Sequence, residues 1–212
     1  MLFMSSAFGV VGWFIEPIFL TDYWHPTMIF TSSFTFNSTT YQLGSIEGII
    51  FSFLIGGIAS VVYEVFVGKY FKSRRIRKHN WILWAVSLLT LNVAVLMIST
   101  SVGINSIYAA ILSCLACFCF YIFFSKDLIV DSLLSGLLMG CISLLVLLTW
   151  HFIFFGIFDA WWQRENLSGI SILGIPIEEP LLYFTLGAVL GPLYEFLLGL
   201  RFRRTIQLRH GT

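Results

Sequence analysis

Apolar residues run along this chain in blocks of about 20, the length an α-helix needs to cross the hydrocarbon core of a bilayer. Six blocks predict six spans: Leu2–Leu20, Gly44–Gly68, Trp81–Thr100, Ile104–Phe124, Val130–Phe155 and Leu173–Leu200. The polar segments between them carry the orientation. Lys69, Lys72, Arg74, Arg75, Arg77 and Lys78 follow the second span, Lys126 follows the fourth, and Arg201, Arg203, Arg204 and Arg209 follow the sixth, so 11 of the 12 basic residues fall on one side. The positive-inside rule makes that side cytoplasmic. An integral membrane protein with both termini in the cytoplasm is therefore expected, with residues 21–43 and 156–172 outside; Arg164 alone breaks the pattern. The first span lacks the basic leading segment of a signal peptide and contains Glu16 and Pro17, so it is read as a span.

The polar positions also repeat. Ser45-Ile46-Glu47 is followed by Phe53, Gly56, Tyr63-Glu64 and Gly68; Pro176-Ile177-Glu178 is followed by Phe184, Gly187, Tyr194-Glu195 and Gly199, a constant offset of 131. Upstream, Trp13, Asp22 and Trp24 correspond to Trp150, Asp159 and Trp161 at an offset of 137. Both copies run the same way through the membrane, which predicts an all-α fold with a parallel internal repeat. The expected organisation is a first half over 1–78, linking spans over 79–126 and a second half over 127–212, with the substrate site between the halves.

Composition narrows the function. The 212 residues are 58% hydrophobic and 11% charged, with a mean hydropathy of +0.90, against roughly 25% charged in soluble domains. A net charge of +1 cannot neutralise a phosphate backbone, so nucleic acid is excluded as a partner. Cys114, Cys117, Cys119 and Cys141 lie in apolar runs and are read as small hydrophobic residues, with no metal site among them.

An ionisable side chain inside a span is a functional candidate by default. Glu16, Glu47, Glu178 and Glu179 fall near the outer ends of their spans, and Glu64, Asp131 and Glu195 near the inner ends. The inner group has cationic neighbours in Lys69, Arg201 and Arg203 and is read as structural. In the outer group, Glu178 and Glu179 follow Pro176, which suits the first helical turn and sets both carboxyls at the positive end of a helix dipole. The dipole favours charge and an apolar surrounding opposes it, so one of two neighbouring carboxyls can keep its proton while the other ionises. Around them gather Trp13, Tyr23, Trp24, Trp150, Trp161, Trp162 and Tyr183. Such rings anchor loops at headgroups; their faces also stabilise a cation, by about 2 kcal/mol or more when desolvated. An acid among indoles in an apolar pocket suits the formation of a carbocation from a polyene or isoprenoid.

The stretch Asp159-Ala160-Trp161-Trp162, then Asn166 to Ile170, then Gly174-Ile175-Pro176-Ile177-Glu178-Glu179 and the later Tyr194-Glu195, resembles the integral-membrane lycopene cyclases of carotenoid biosynthesis. Those proteins carry Pro-x-Glu-Glu after a tryptophan-bearing loop and occur as two small subunits or as a fused pair of halves. The resemblance implies protonation of a lycopene end group, ring closure through a cation and loss of a proton, without a cofactor. It implies a carotenoid substrate, the lipid bilayer as surroundings, and homo- or hetero-oligomers with other carotenoid enzymes. In that family an aspartate follows the tryptophan of the preceding helix, whereas here His151 follows Trp150 and Phe14 follows Trp13. Glu16, three residues after Trp13, is the candidate substitute, and His151 a candidate proton carrier. The catalytic candidates are thus Glu178, Glu179, Glu47, Glu16 and His151; the substrate-binding candidates are Trp13, Trp24, Trp150, Trp161, Trp162, Tyr183 and Pro176. Two other readings remain: a non-catalytic carotenoid- or isoprenoid-binding membrane subunit, and a small transporter.

Overall fold

In a bilayer every backbone polar group must be satisfied within its own segment, so apolar runs of this length fold as helices. The computed structural model describes residues 2–36, 39–67 and 80–199. Its main helices are α1 (Leu2–Asp22), α2 (Ile46–Val67), α3 (Trp81–Ser101), α4 (Ser106–Phe124) and α5 (Ile129–Ile153), with α7 (Glu178–Leu190) continued by α8 (Leu193–Leu198). Among the described residues, six helical segments are long and apolar enough to cross a membrane, the last of them Glu178–Leu198. A five-residue helix, α6 (Ile157–Trp161), lies in the segment between α5 and α7.

The sixth span starts later than hydropathy alone predicts. Leu173 and Gly174 both have positive φ, 53° and 86°, and they form the turn of a small hairpin in which β3 (Ser171–Ile172) pairs with β4 (Ile175–Pro176). Helix α7 begins only after that hairpin. A longer hairpin, β1 (Thr31–Phe36) with β2 (Thr39–Ser45), likewise precedes α2. The sixth span also breaks at Gly191-Pro192, between α7 and α8, because proline lacks the N–H that the helix ladder needs.

Helices in lipid gain little from apolar burial against one another, so they associate where small residues let backbones approach. Helix α1 packs along α2, and α5 along α7. At Gly136 an added Cβ would stand 2.7 Å from the Phe184 carbonyl oxygen, and at Gly187 it would stand 2.6 Å from the Met139 side chain. Helix α4 covers another side of α7, and α3 packs outside α4, where Asn92 donates to Ser113 Oγ at 3.1 Å. The two helix pairs meet through Met4, Ala59, Val62, Met139 and Leu190. At the start of α5, Asp131 accepts a hydrogen bond from Tyr63 at 2.7 Å; Lys69, Arg201 and Arg203, expected near the carboxylates of that layer, lie outside the described residues.

Candidate functional site

The site is assembled at the end of the bundle where α7 starts. Because Pro176 is tied into β4 and the Ile177 N–H donates to the Ile170 carbonyl at 3.0 Å, the hairpin fixes where the first turn of α7 falls. That turn presents Glu178 and Glu179, only 1% and 4% exposed.

The two carboxyls face different partners. Glu178 Oε1 accepts from the Tyr108 hydroxyl on α4 at 2.7 Å and from the Ser168 N–H at 2.8 Å, while its buried Oε2 has no hydrogen-bond partner among the described residues. Glu179 Oε1 accepts from Trp162 Nε1 at 2.6 Å and from the Tyr23 hydroxyl. Trp162 Nε1 also approaches the Tyr23 oxygen, at 3.1 Å. A buried acid, a phenol and an indole therefore close a triangle, set within the apolar cluster of Ile107, Ile111, Leu147, Phe158 and Ile175.

Tyr23 reaches this place from the end of α1, and the residues around it are tied to the second half. The Asp22 carbonyl accepts from Asn105 Nδ2 at 2.8 Å and Asn166 Nδ2 at 2.9 Å, and Asp22 Oδ2 accepts from the Ser106 N–H at 3.0 Å at the start of α4. Gln163 N–H donates to the Tyr23 carbonyl at 2.9 Å, and His25 N–H to the Trp161 carbonyl at 2.6 Å. The backbones of Trp24 and Trp162 form an antiparallel bridge. Their rings continue a row that runs Phe51, Trp24, Trp162, Phe158, His151, with centroid spacings of 6.5, 6.1, 4.7 and 5.9 Å.

Residues 105–197 match the lycopene cyclase family model. No curated protein and no solved structure matches the chain. The matched segment runs from Asn105, which caps α4 through its side chain, into α8. It contains Tyr108, His151, Trp162, Glu178 and Glu179. It leaves out Tyr23, which donates to one of those carboxyls.

Most of the expected second-half residues gather here. Trp150 and Trp161 pack at the edge of the cluster around Tyr23 and Trp162. His151 stands in the aromatic row with its buried Nδ1 unpaired among the described residues, and its Cε1 and Nε2 are 3.2 Å from where a Cβ on Gly174 would be. Tyr183 lies one helical turn beyond Glu179 and packs into the cluster that joins the two helix pairs.

Of the first-half candidates, Trp24 joins the cluster around Trp162, whereas Trp13, Glu16 and Glu47 lie apart from it. Glu47 Oε1 accepts from the Ile29 and Phe30 N–H groups at 2.9 and 3.2 Å, much as Glu178 accepts from Ser168. Position 48, which matches Glu179 at the 131-residue offset, is glycine, and a Cβ there would collide with the Glu16 carboxyl. Glu16 thus brings a carboxyl from α1 to where α2 has no side chain. It is 6% exposed and accepts from the Ser45 N–H at 2.5 Å and Ser45 Oγ at 2.8 Å. Trp13 Nε1 donates to the Gly44 carbonyl at 2.7 Å, which braces β2 against α1.

The sequence pattern gathers Tyr23 with the other aromatic residues around Glu178 and Glu179 without pairing it to either carboxyl, and it does not single out Tyr108. A tyrosine in the first turn of a span, one turn from a capping Asn105, was the available signal for Tyr108. For the bond from Tyr23 to Glu179, 156 residues apart, the sequence holds no local signal.

Proposed function

We propose that the protein is a carotenoid cyclase that closes the end group of a lycopene-type polyene by acid/base chemistry within the membrane. The observation that carries this reading is Glu179: a carboxyl buried at the start of α7, bonded to a phenol and an indole, inside the segment that matches the lycopene cyclase family. A charged carboxylate among apolar side chains in a bilayer is expensive, and a neutral carboxylic acid there is a proton donor.

Glu179 gives its proton to the terminal double bond of the polyene, leaving a tertiary cation. The next double bond attacks that cation, one carbon–carbon bond forms, and a six-membered ring closes with the positive charge now in the ring. Loss of a ring proton creates the ring double bond and returns the proton to the carboxyl pair, so atoms and electrons balance without a redox partner. Trp24, Trp162 and Phe158 supply ring faces that stabilise the passing charge. Glu178, which already accepts two hydrogen bonds on Oε1, takes up the proton that leaves the ring. The polyene reaches this layer through the bilayer in which the six spans sit, and both basic ends face the cytoplasm.

The test is expression of the full chain in cells that accumulate lycopene, followed by pigment analysis. Monocyclic or bicyclic products support the reading. Unchanged lycopene beside well-folded protein overturns it in favour of a non-catalytic carotenoid-binding subunit.

A further inference from the structure

Glu179 is held by a residue that lies outside the lycopene cyclase segment. Tyr23 follows the last turn of α1, is 4% exposed, and sits edge-on to Phe19 with ring centroids 6.0 Å apart. Its backbone is pinned on both sides: its N–H donates to the Phe19 carbonyl at 3.1 Å and its carbonyl accepts from Gln163 at 2.9 Å. Its ring belongs to an apolar cluster that a phenylalanine would fill equally well. The hydroxyl is the part that apolar packing does not call for, since a buried hydroxyl is unfavourable unless it is hydrogen-bonded.

We infer that Tyr23 is a positioning residue of the cyclase site, contributed by the first half of the chain, and that its hydroxyl selects which oxygen of Glu179 delivers the proton. A phenol has one proton to donate. Here it goes to Glu179 Oε1, while the phenol oxygen faces Trp162 Nε1 at 3.1 Å. The indole N–H has a single direction, so the hydroxyl cannot reverse without placing two donors against each other. Oε1, receiving both Tyr23 and Trp162, is the carbonyl oxygen of the acid, and the transferable proton sits on Oε2. The segment Asp22 to His25 holds this arrangement through its bonds to Asn105, Ser106, Trp161, Gln163 and Asn166. The second-half site is therefore incomplete without the end of α1. This role rests on the reading of Glu179 as the acid.

The test uses the full chain in phospholipid vesicles containing lycopene, with two readouts. For Tyr23→Phe, kcat falls by about 10- to 100-fold, the range for losing a hydrogen bond to an ionisable group, and KM stays near the wild-type value. Infrared spectroscopy identifies the protonated Glu179 carboxyl as the band removed by Glu179→Gln. In Tyr23→Phe that band moves to higher frequency, because its carbonyl oxygen has lost a donor. If phenylalanine at this position unfolds the chain, site-specific 3-fluorotyrosine keeps the ring and the hydroxyl but strengthens the donor, and the band moves to lower frequency. Unchanged kcat in a folded Tyr23→Phe chain, a change confined to KM, or a band that stays in place would each overturn the inference. Absence of any carboxyl band lost on Glu179→Gln overturns instead the assignment of Glu179 as the acid.

Discussion

Two adjacent glutamates at the start of one helix occupy different chemical settings, and the difference comes from what other elements bring to them. Glu178 meets a backbone N–H and a tyrosine of α4; Glu179 meets an indole and a phenol in an apolar cluster. Replacing both by glutamine keeps shape and much of the hydrogen bonding but removes the transferable proton. The Glu178→Gln, Glu179→Gln double variant is expected to lose on the order of 10² to 10⁴ in rate, measured as cyclic pigment formed per folded protein; near-normal turnover would transfer the acid's role to Glu16, Glu47 or His151. Glu16 behaves differently, since both its oxygens accept from Ser45 and it fills the space above Gly48. Gly48→Ala is therefore expected to destabilise the chain by about 1–3 kcal/mol through overpacking, seen as a lower thermal midpoint in detergent. The glutamates and the glycine are visible in the sequence. That Glu16 and Gly48 share one space is not, because it depends on how α1 lies against α2.

At the scale of elements, hydropathy located the six spans because length and apolarity alone decide whether a segment can cross a bilayer. It misplaced the start of the sixth, where Leu173 and Gly174 are apolar enough to continue a span but turn a hairpin instead. Apolarity also says nothing about which face of a helix meets lipid. On α7, Leu181 is 44% exposed and Gly187 is buried against Met139 and the Ser135 carbonyl. Gly187→Ala places a methyl 2.8 Å from that carbonyl oxygen, and a cost of about 1–3 kcal/mol is expected. Leu181→Ala, on the lipid-facing side, is expected to stay within about 0.5 kcal/mol. Thermal melting of the two variants in the same detergent checks the contrast, and equal midpoints would show that α5 and α7 are not held by close backbone approach.

At the scale of the whole molecule, α1 pairs with α2 and α5 with α7, each with a hairpin before the second helix, and the proposed acid site lies where the end of α1 reaches the start of α7. That geometry depends on one arrangement in the membrane: Asp22 to His25 and residues 156–176 on the same side, and the basic segments opposite. The basic segments after the second and sixth spans lie outside the described residues, so their side is argued from charge, and 11 of 12 basic residues agree. Cysteine labelling decides it. Cys119 and Cys141 are exposed and are first replaced by serine, whereas Cys114 and Cys117 are buried. In that background Ser168→Cys, in the exposed loop before β3, is expected to react with a membrane-impermeant maleimide on intact cells. Ser73→Cys, within the basic run, is expected to react only after the membrane is opened. Labelling of both from outside would remove the parallel relation between the halves, because two copies separated by an even number of spans must place their hairpins on one face and their basic ends on the other.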